Sequence, residues 1–386
     1  MTTSVLERVT ALTPAVPKRA EEIEQARRLP LDLLDELTQA GCFRMGLPRS
    51  HGGEELGFSD IIGVIELLSR ADGAVGWTVM IGGTTPELFA FLPQARFDAL
   101  YASGPDLIGG GTVAPKGLAV AVDGGYRASG RWAFASGSEH CSWLMAHCVV
   151  LGADGKLQLG PKGLPVMRAM VLPAQEFQIV DTWHVSGLRG TGSHDLVLEE
   201  AFVPSDQAMD IFGEANLPGP LFRIPLLDKF GLYVASVGVG IAAGALEEVQ
   251  ALAVGGKRPA FAPQRIAENP LFQHRLGEAD ANLRAARALL YAEADAAWAA
   301  AVEGRALSPL ERAQLRATGS HVTALATSVV DTAYNLGGGT SVYNSCPLQR
   351  RLRDIHTLTQ HAVVAPASYA TVGAGLAGED LSAMLI

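Results

Sequence analysis

The stretch DTWHVSGLRGTGSHDLVLEEAFVP, Asp181 to Pro204, decides how the rest of the chain is read. Gly187, Gly190 and Gly192 lie close together, so the backbone there can take positive φ and approach a ligand closely. Arg189, Thr191 and Ser193 bring a guanidinium fork and two hydroxyls to the same place. The segment ends in strand-like DLVLEEAFVP, which Pro204 closes. Taken alone, an ordinary Gly-rich loop between strands accounts for it. Its neighbours change that reading.

Just upstream, from about Pro105, the chain is built of short β-branched or aromatic segments such as GGYRASGRWAFASG, HCSWLMAHCVVL and MRAMVLPAQEFQIV, separated by Gly, Pro and Asp turns. This texture predicts an antiparallel β-domain, a sandwich or small barrel, over residues 105–216. Residues 1–104 read as helical, with apolar positions at three-and-four spacing, Pro30 at a helix start, Gly41 at a stop and Asp72-Gly73 as a break. Residues 217–386 are Ala-rich and helical again. Four long candidates (227–254, 270–303, 309–336 and 347–364) joined by short loops predict a four-helix bundle. The fold class is therefore α+β, in the order helical domain, sheet domain, bundle.

Composition narrows the function. A net charge of −10 with scattered basic residues argues against nucleic acid or an anionic membrane surface. Four cysteines without a CxxC pair fit a reducing, cytoplasmic setting. The apolar run from Gly231 to Leu246 falls short of the ~20 residues a bilayer needs. Flanked by Asp228, Lys229, Glu247 and Glu248, it reads as a core helix.

Several motifs compete for a chemical reading. GVGIAAG, Gly238 to Gly244, fits a dinucleotide fingerprint, but it lies in a helix-like run with no acidic residue at the right distance. Close helix packing explains it better. EHCSWLMAHC, Glu139 to Cys148, resembles a metal cluster, yet on a strand His140 and Cys148 stand ~25 Å apart, and Cys141 and His147 ~20 Å. No metal is expected there. GRWAFASG, Gly130 to Gly137, sets Trp132 and Phe134 on one strand face with Ser136 beyond, either as core or as a wall against a flat ring. The triple glycine Gly337–Gly339 is either a helix C-cap or a phosphate cradle. In RLRDIHTLTQH, helical spacing sets Asp354, Leu358 and His361 on one stripe, with His361 able to donate or accept a proton near neutral pH.

Together these stretches resemble the acyl-CoA dehydrogenase superfamily along essentially the whole chain. VSGLRGTGSHDLVLEEAFVP looks like its G-x-R-G-T/S … V-P signature, and GRWAFASG occupies the place of the strand lining the flavin. KRPAFAPQRIAENPLFQHRLGEAD is similar to the stretch that reaches flavin phosphates across a subunit interface. The resemblance implies a homotetramer and a flavin held by Thr112, Trp132, Phe134, Ser136, Arg189, Ser193, Arg258, Phe261, Gly338 and Gly339. Ala262 stands where the family has glycine, which leaves FAD or FMN open.

The dehydrogenase base, a glutamate, is missing at both of its family positions: RDIHTLTQHAVV places His361 and Ala362 at one, and KFGLYVAS lacks a carboxylate at the other. The RD-x-H … H pattern is instead similar to the oxygenase components of two-component flavin monooxygenases. That implies reduced flavin delivered by an NAD(P)H-dependent flavin reductase, O2 as co-substrate, and oxygenation of a small molecule, aromatic ones included, through a C4a-hydroperoxide. His361 is the expected catalytic residue. A further histidine often found in the N-terminal domain of this branch is replaced here by Gly82, Gly83, Thr84 and Thr85. The alternative is a dehydrogenase or desaturase with a non-standard base.

Overall fold

The computed structural model describes residues 3–160 and 163–381. The N-terminal part folds as α1 (Val5–Leu12), α2 (Ala20–Ala26), α3 (Leu31–Gln39), α4 (Phe58–Ala71), α5 (Gly73–Gly83), α6 (Thr85–Phe89) and α7 (Gln94–Tyr101). Pro30 stands at the N-cap of α3, whose Leu33, Leu34 and Leu37 face the core as their spacing predicts. The break at Asp72-Gly73 has a clear cause. Asp72 is extended, and its carboxylate accepts hydrogen bonds from the Ala74 and Val75 amides, ending α4 and starting α5.

Seven strands follow: β1 (Gly109–Val122), β2 (Gly125–Ala135), β3 (Trp143–Leu151), β4 (Met167–Pro173), β5 (Gln178–Val180), β6 (His194–Pro204) and β7 (Ala208–Met209). They form one sheet in the order β5-β6-β2-β1-β3-β4-β7. Its pairings are antiparallel except β1 with β3, which are parallel. Short strands separated by Gly, Pro and Asp turns predict antiparallel pairing throughout, and the β1–β3 pair departs from it. The difference arises because β1 and β2 form a tight hairpin, and the turn at Ser138–His140 then carries the chain to the far side of β1. A register shift between Thr112 and Gly117 interrupts the β1–β3 ladder.

The remaining chain is helical: α8 (Pro220–Arg223), α9 (Leu226–Val254), α10 (Pro270–Val302), α11 (Pro309–Gly337), α12 (Pro347–Leu358) and α13 (Ser368–Leu376). Helices α9 to α12 pack as the expected bundle, with α9 central. Helix α9 matches the expected 227–254 to within one residue; at 29 residues it is long and apolar enough to cross a membrane, but 83% of its most apolar window is buried inside the protein. Small residues let neighbours come close; a Cβ at Gly240 would lie 2.3 Å from the Glu66 carbonyl of α4. Helix packing is thus the role of GVGIAAG.

One boundary differs in a way that matters. Helix α12 stops at Leu358 rather than continuing to residue 364. Thr359 returns its hydroxyl to the His356 carbonyl, and His361 has extended backbone (φ −74°, ψ 130°). His361 is therefore the N-cap of a short 3-10 turn, Ala362–Val364, and not a member of a helical stripe with Asp354 and Leu358.

Candidate active site

The glycine-rich stretch lies where the three parts of the chain meet. Gly187 presses on α12 so closely that a Cβ would lie 2.0 Å from the Arg353 carbonyl. The next residue, Leu188, is left-handed (φ 50°), and its amide donates to Asp354 Oδ1 at 2.6 Å. Gly190 meets Ile23 of α2 and Ala74 of α5. Arg189–Thr191 form a single 3-10 turn held by these contacts.

From that turn a chain of hydrogen bonds runs into the sheet and back to α5. The Trp77 indole N–H donates to Ser136 Oγ at 2.9 Å; Ser136 and Ser193 hydroxyls are 2.7 Å apart, as are those of Ser193 and Thr191; Thr191 Oγ1 donates to the Leu188 carbonyl at 2.8 Å. An indole N–H can only donate and a carbonyl can only accept, so the direction of every link is fixed. Thr191 gives its proton to Leu188, Ser193 gives to Thr191, and Ser136 gives to Ser193. Ser136 is left with one accepting lone pair and no free proton.

His361 sits between aromatic rings, 5.6 Å from Trp77 and 5.7 Å from Phe230 of α9 between ring centroids. Its Nδ1 accepts the Val363 amide at 3.3 Å, which leaves the proton on Nε2. Burial pushes its pKa down to about 4. The ring is therefore neutral at physiological pH, a hydrogen-bond donor through Nε2 and not a group that titrates near neutrality.

The candidate flavin residues separate into groups. Ser136 and Ser193 come together with His361 through Trp77, and Arg189 opens the 3-10 turn that carries Thr191 beside them. Arg189 Nε and Thr112 Oγ1 are buried with no hydrogen-bonding partner among the described residues, which folding tolerates where a ligand supplies the bond. Arg258 and Phe261 are exposed on the loop after α9, which Lys257 ties to the end of α11 through the Gly337 carbonyl. Gly338 (φ 56°) caps α11 there, with open space beside it and Gly339. These four form a second cluster, at the end of the bundle.

Trp132 and Phe134 do not share a face. Trp132 is 0% exposed, locked in the sheet core with its indole N–H on the His147 carbonyl at 2.7 Å. Phe134, left-handed at φ 69°, is 71% exposed and packs edge-on to Trp183 at 6.2 Å. The register of β2 against β6 shifts between Trp132 and Ala135, and this irregularity defeats the two-residue alternation used to pair them. Trp132 is accordingly a core residue and cannot line a ligand. Gly117 makes room for it, since a Cβ there would stand 2.0 Å from the indole. Gly117→Ala is expected to destabilise the protein by about 1–3 kcal/mol through overpacking, read as a lowered melting temperature.

Trp77 and Phe230 join the site with nothing in the sequence pattern to single them out, because their partners Ser136 and His361 lie far away in the chain. Thr191 and Asp354 stand in stretches already read as candidates.

A site shared by a helical domain, a sheet and a bundle, with buried polar atoms left open, is the layout of a flavoenzyme class that comparison identifies directly. The model for the acyl-CoA dehydrogenase N-terminal domain matches residues 7–90, and that for the C-terminal domain matches residues 232–366. An indole-3-acetate monooxygenase of Pseudomonas putida is 33% identical over 96% of this chain and 93% of its own length. The oxygenase component of an FADH2-dependent resorcinol hydroxylase from a Rhizobium species is 34% identical over 92% and 89%. The crystal structure of a Rhodococcus 3-HSA hydroxylase superposes with a TM-score of 0.92 at 28% identity, covering 100% of both chains. The chain belongs to the acyl-CoA dehydrogenase family. Within it, the similarity runs to the flavin-dependent monooxygenases, and the protein is an oxidoreductase of that branch.

Proposed function

We propose that the protein is the oxygenase component of a two-component system, taking reduced flavin from an NAD(P)H-dependent reductase and using O2 to oxygenate a small aromatic molecule. The observation that carries this reading is the directed chain ending at Ser136. Its one open position accepts a hydrogen bond. Reduced flavin carries a ring N–H where oxidised flavin has a bare accepting nitrogen, so an acceptor-only Ser136 suits the reduced form. Arg189 and Thr112 offer their unpartnered polar atoms to the same cofactor. Arg258, Phe261, Gly338 and Gly339, remote from that chain in the fold, serve a flavin of a neighbouring subunit in a homotetramer. The exposed Phe261 and Arg258 favour FAD, whose longer phosphate portion gives them something to hold, over FMN. Unpaired cysteines suit a cytoplasmic enzyme.

Bound reduced flavin supplies the oxygen chemistry. The protein's part is to orient the ring through Ser136 and Arg189, to exclude water with Trp77 and Phe230, and to hold a proton at His361 Nε2. The absence of a carboxylate at either dehydrogenase position supports oxygenation over dehydrogenation.

The test is equilibrium binding of reduced and oxidised flavin to the wild type and Thr191→Val, together with product formed per reduced flavin oxidised in air. Wild type is expected to prefer reduced flavin at least tenfold. Thr191→Val removes the acceptor that fixes the chain's direction, and the preference should shrink. Equal affinity for both forms in wild type, with bleaching of oxidised flavin by an acyl-CoA, would favour the dehydrogenase alternative.

A further inference from the structure

A cavity of about 810 Å³ opens beside the start of α9, and this helix leads from it to the site, with α6 packed alongside. Leu226 and Leu227 of α9 line it, and Phe230, three and four positions on, lies on the same helix face and packs against His361. Phe91 also lines it, just beyond α6. The other end of α6 begins at Thr85, whose hydroxyl donates to the Gly109 carbonyl of β1. Between these ends α6 and α9 are braced by buried charges. Glu87 receives Lys229 at 2.6 Å and the Tyr233 hydroxyl at 2.9 Å, and Lys229 also donates to the Leu221 carbonyl at 2.7 Å. That last bond fixes α8, which carries Phe222 and Arg223 to the cavity wall.

The lining describes its ligand. Phe91, Phe212 and Phe222 present aromatic surface, and the volume exceeds what one ring fills while staying within the ~300–1,000 Å³ of small-molecule sites. Four arginines line the wall with the one carboxylate of Glu214, and Arg305 among them is paired with Glu311 at 2.9 Å. Arg312 and Arg316 are anchored on the buried Asp228 at 2.6 and 2.5 Å. Arg223 is exposed and donates to the Ala301 carbonyl at 2.8 Å, and no carboxylate pairs with it among the described residues. A planar aromatic body with an anionic group fits both features.

We infer that this cavity is the substrate chamber's outer part, and that it selects planar aromatic carboxylates by holding the ring among the phenylalanines and the carboxylate at Arg223. The inference rests on the monooxygenase reading and narrows its substrate class. The probes are 1-naphthaleneacetate and its uncharged counterpart 1-methylnaphthalene, titrated by naphthalene fluorescence against the full protein. Arg223→Gln is expected to weaken the acid about tenfold and leave the hydrocarbon within twofold. Leu227→Trp, which fills the cavity, should weaken both about tenfold; Leu217→Trp, on another wall, repeats the test should the first variant fold poorly. Equal effects of Arg223→Gln on the two probes, or unchanged binding in folded blocked variants, would overturn the inference. Reduced-flavin affinity of the wild type is measured alongside. Flavin binding without the Arg223 effect removes only the chamber, whereas no flavin binding removes the function itself.

Discussion

His361→Ala is expected to lower product formation about a hundredfold while changing flavin affinity less than twofold. The magnitude follows from the ~10²–10³ that a single positioned hydrogen-bond donor contributes where charge develops. The ring touches Trp77 and Phe230 and makes no hydrogen bond to the loop that would hold flavin, so removing it should spare cofactor binding. Reduced flavin would still be oxidised in air, with hydrogen peroxide replacing product. Because burial sets the pKa of His361 to about 4, the wild-type rate should show no inflection from this group between pH 6 and 8. A depressed histidine pKa also means that acid destabilises: below ~6.5 the unfolded chain binds a proton that the folded one takes up only near pH 4. Unchanged coupling in His361→Ala would remove the residue from the mechanism.

Asp354→Ala should be the more damaging change to binding. Asp354 is buried and is the acceptor for the Leu188 amide, so its removal leaves a buried donor unpaired, at about 1–3 kcal/mol. It acts as a positioning residue, since the loop it holds carries Arg189, Thr191 and Ser193. Reduced-flavin affinity is expected to fall about tenfold and the melting temperature to drop. Asp354→Asn keeps an accepting oxygen and should retain most of the affinity, which separates positioning from charge.

The pH dependence of stability gives a second readout. Burial, and next the neighbouring Asp72, raise the Asp354 pKa to about 7. Arg350, 3.5 Å from Asp72, opposes this shift, while Glu24 of α2 adds to it; Arg351 lies in the same cluster, 3.9 Å from Glu248 of α9. With the folded pKa above the unfolded one, the folded state holds an extra proton between about pH 4 and 7 and loses that advantage as pH rises through 7. Asp354→Asn lacks the ionisation, so its melting temperature relative to wild type should rise between pH 5 and pH 8. A constant difference across that range would mean that the carboxyl does not titrate there.

Local pattern made the architecture readable. Apolar spacing placed α3 and the bundle helices, Pro270, Pro309 and Pro347 marked helix starts, and Asp72-Gly73 marked the α4–α5 break. The glycines of Gly187–Gly192 signalled close approach, because only a residue without Cβ fits against Arg353. What failed depended on a single residue out of register. Phe134 with positive φ turned Trp132 and Phe134 to different surroundings, and the end of α12 at Leu358 moved His361 off its supposed stripe. No periodicity argument detects such steps, because each is fixed by contacts made elsewhere in the fold.

By itself, then, the sequence determined the order of helices, sheet and bundle and the place of the glycine-rich turn, consequences of local spacing and residue type, while the missing glutamate was legible only through the resemblance to the family. Only the tertiary structure decided the direction of the Trp77–Ser136–Ser193–Thr191–Leu188 chain, the neutrality of His361 and the burial of Asp354. Those properties belong to groups far apart in the chain, and hydrogen-bond direction and desolvation exist only once packing has brought them together.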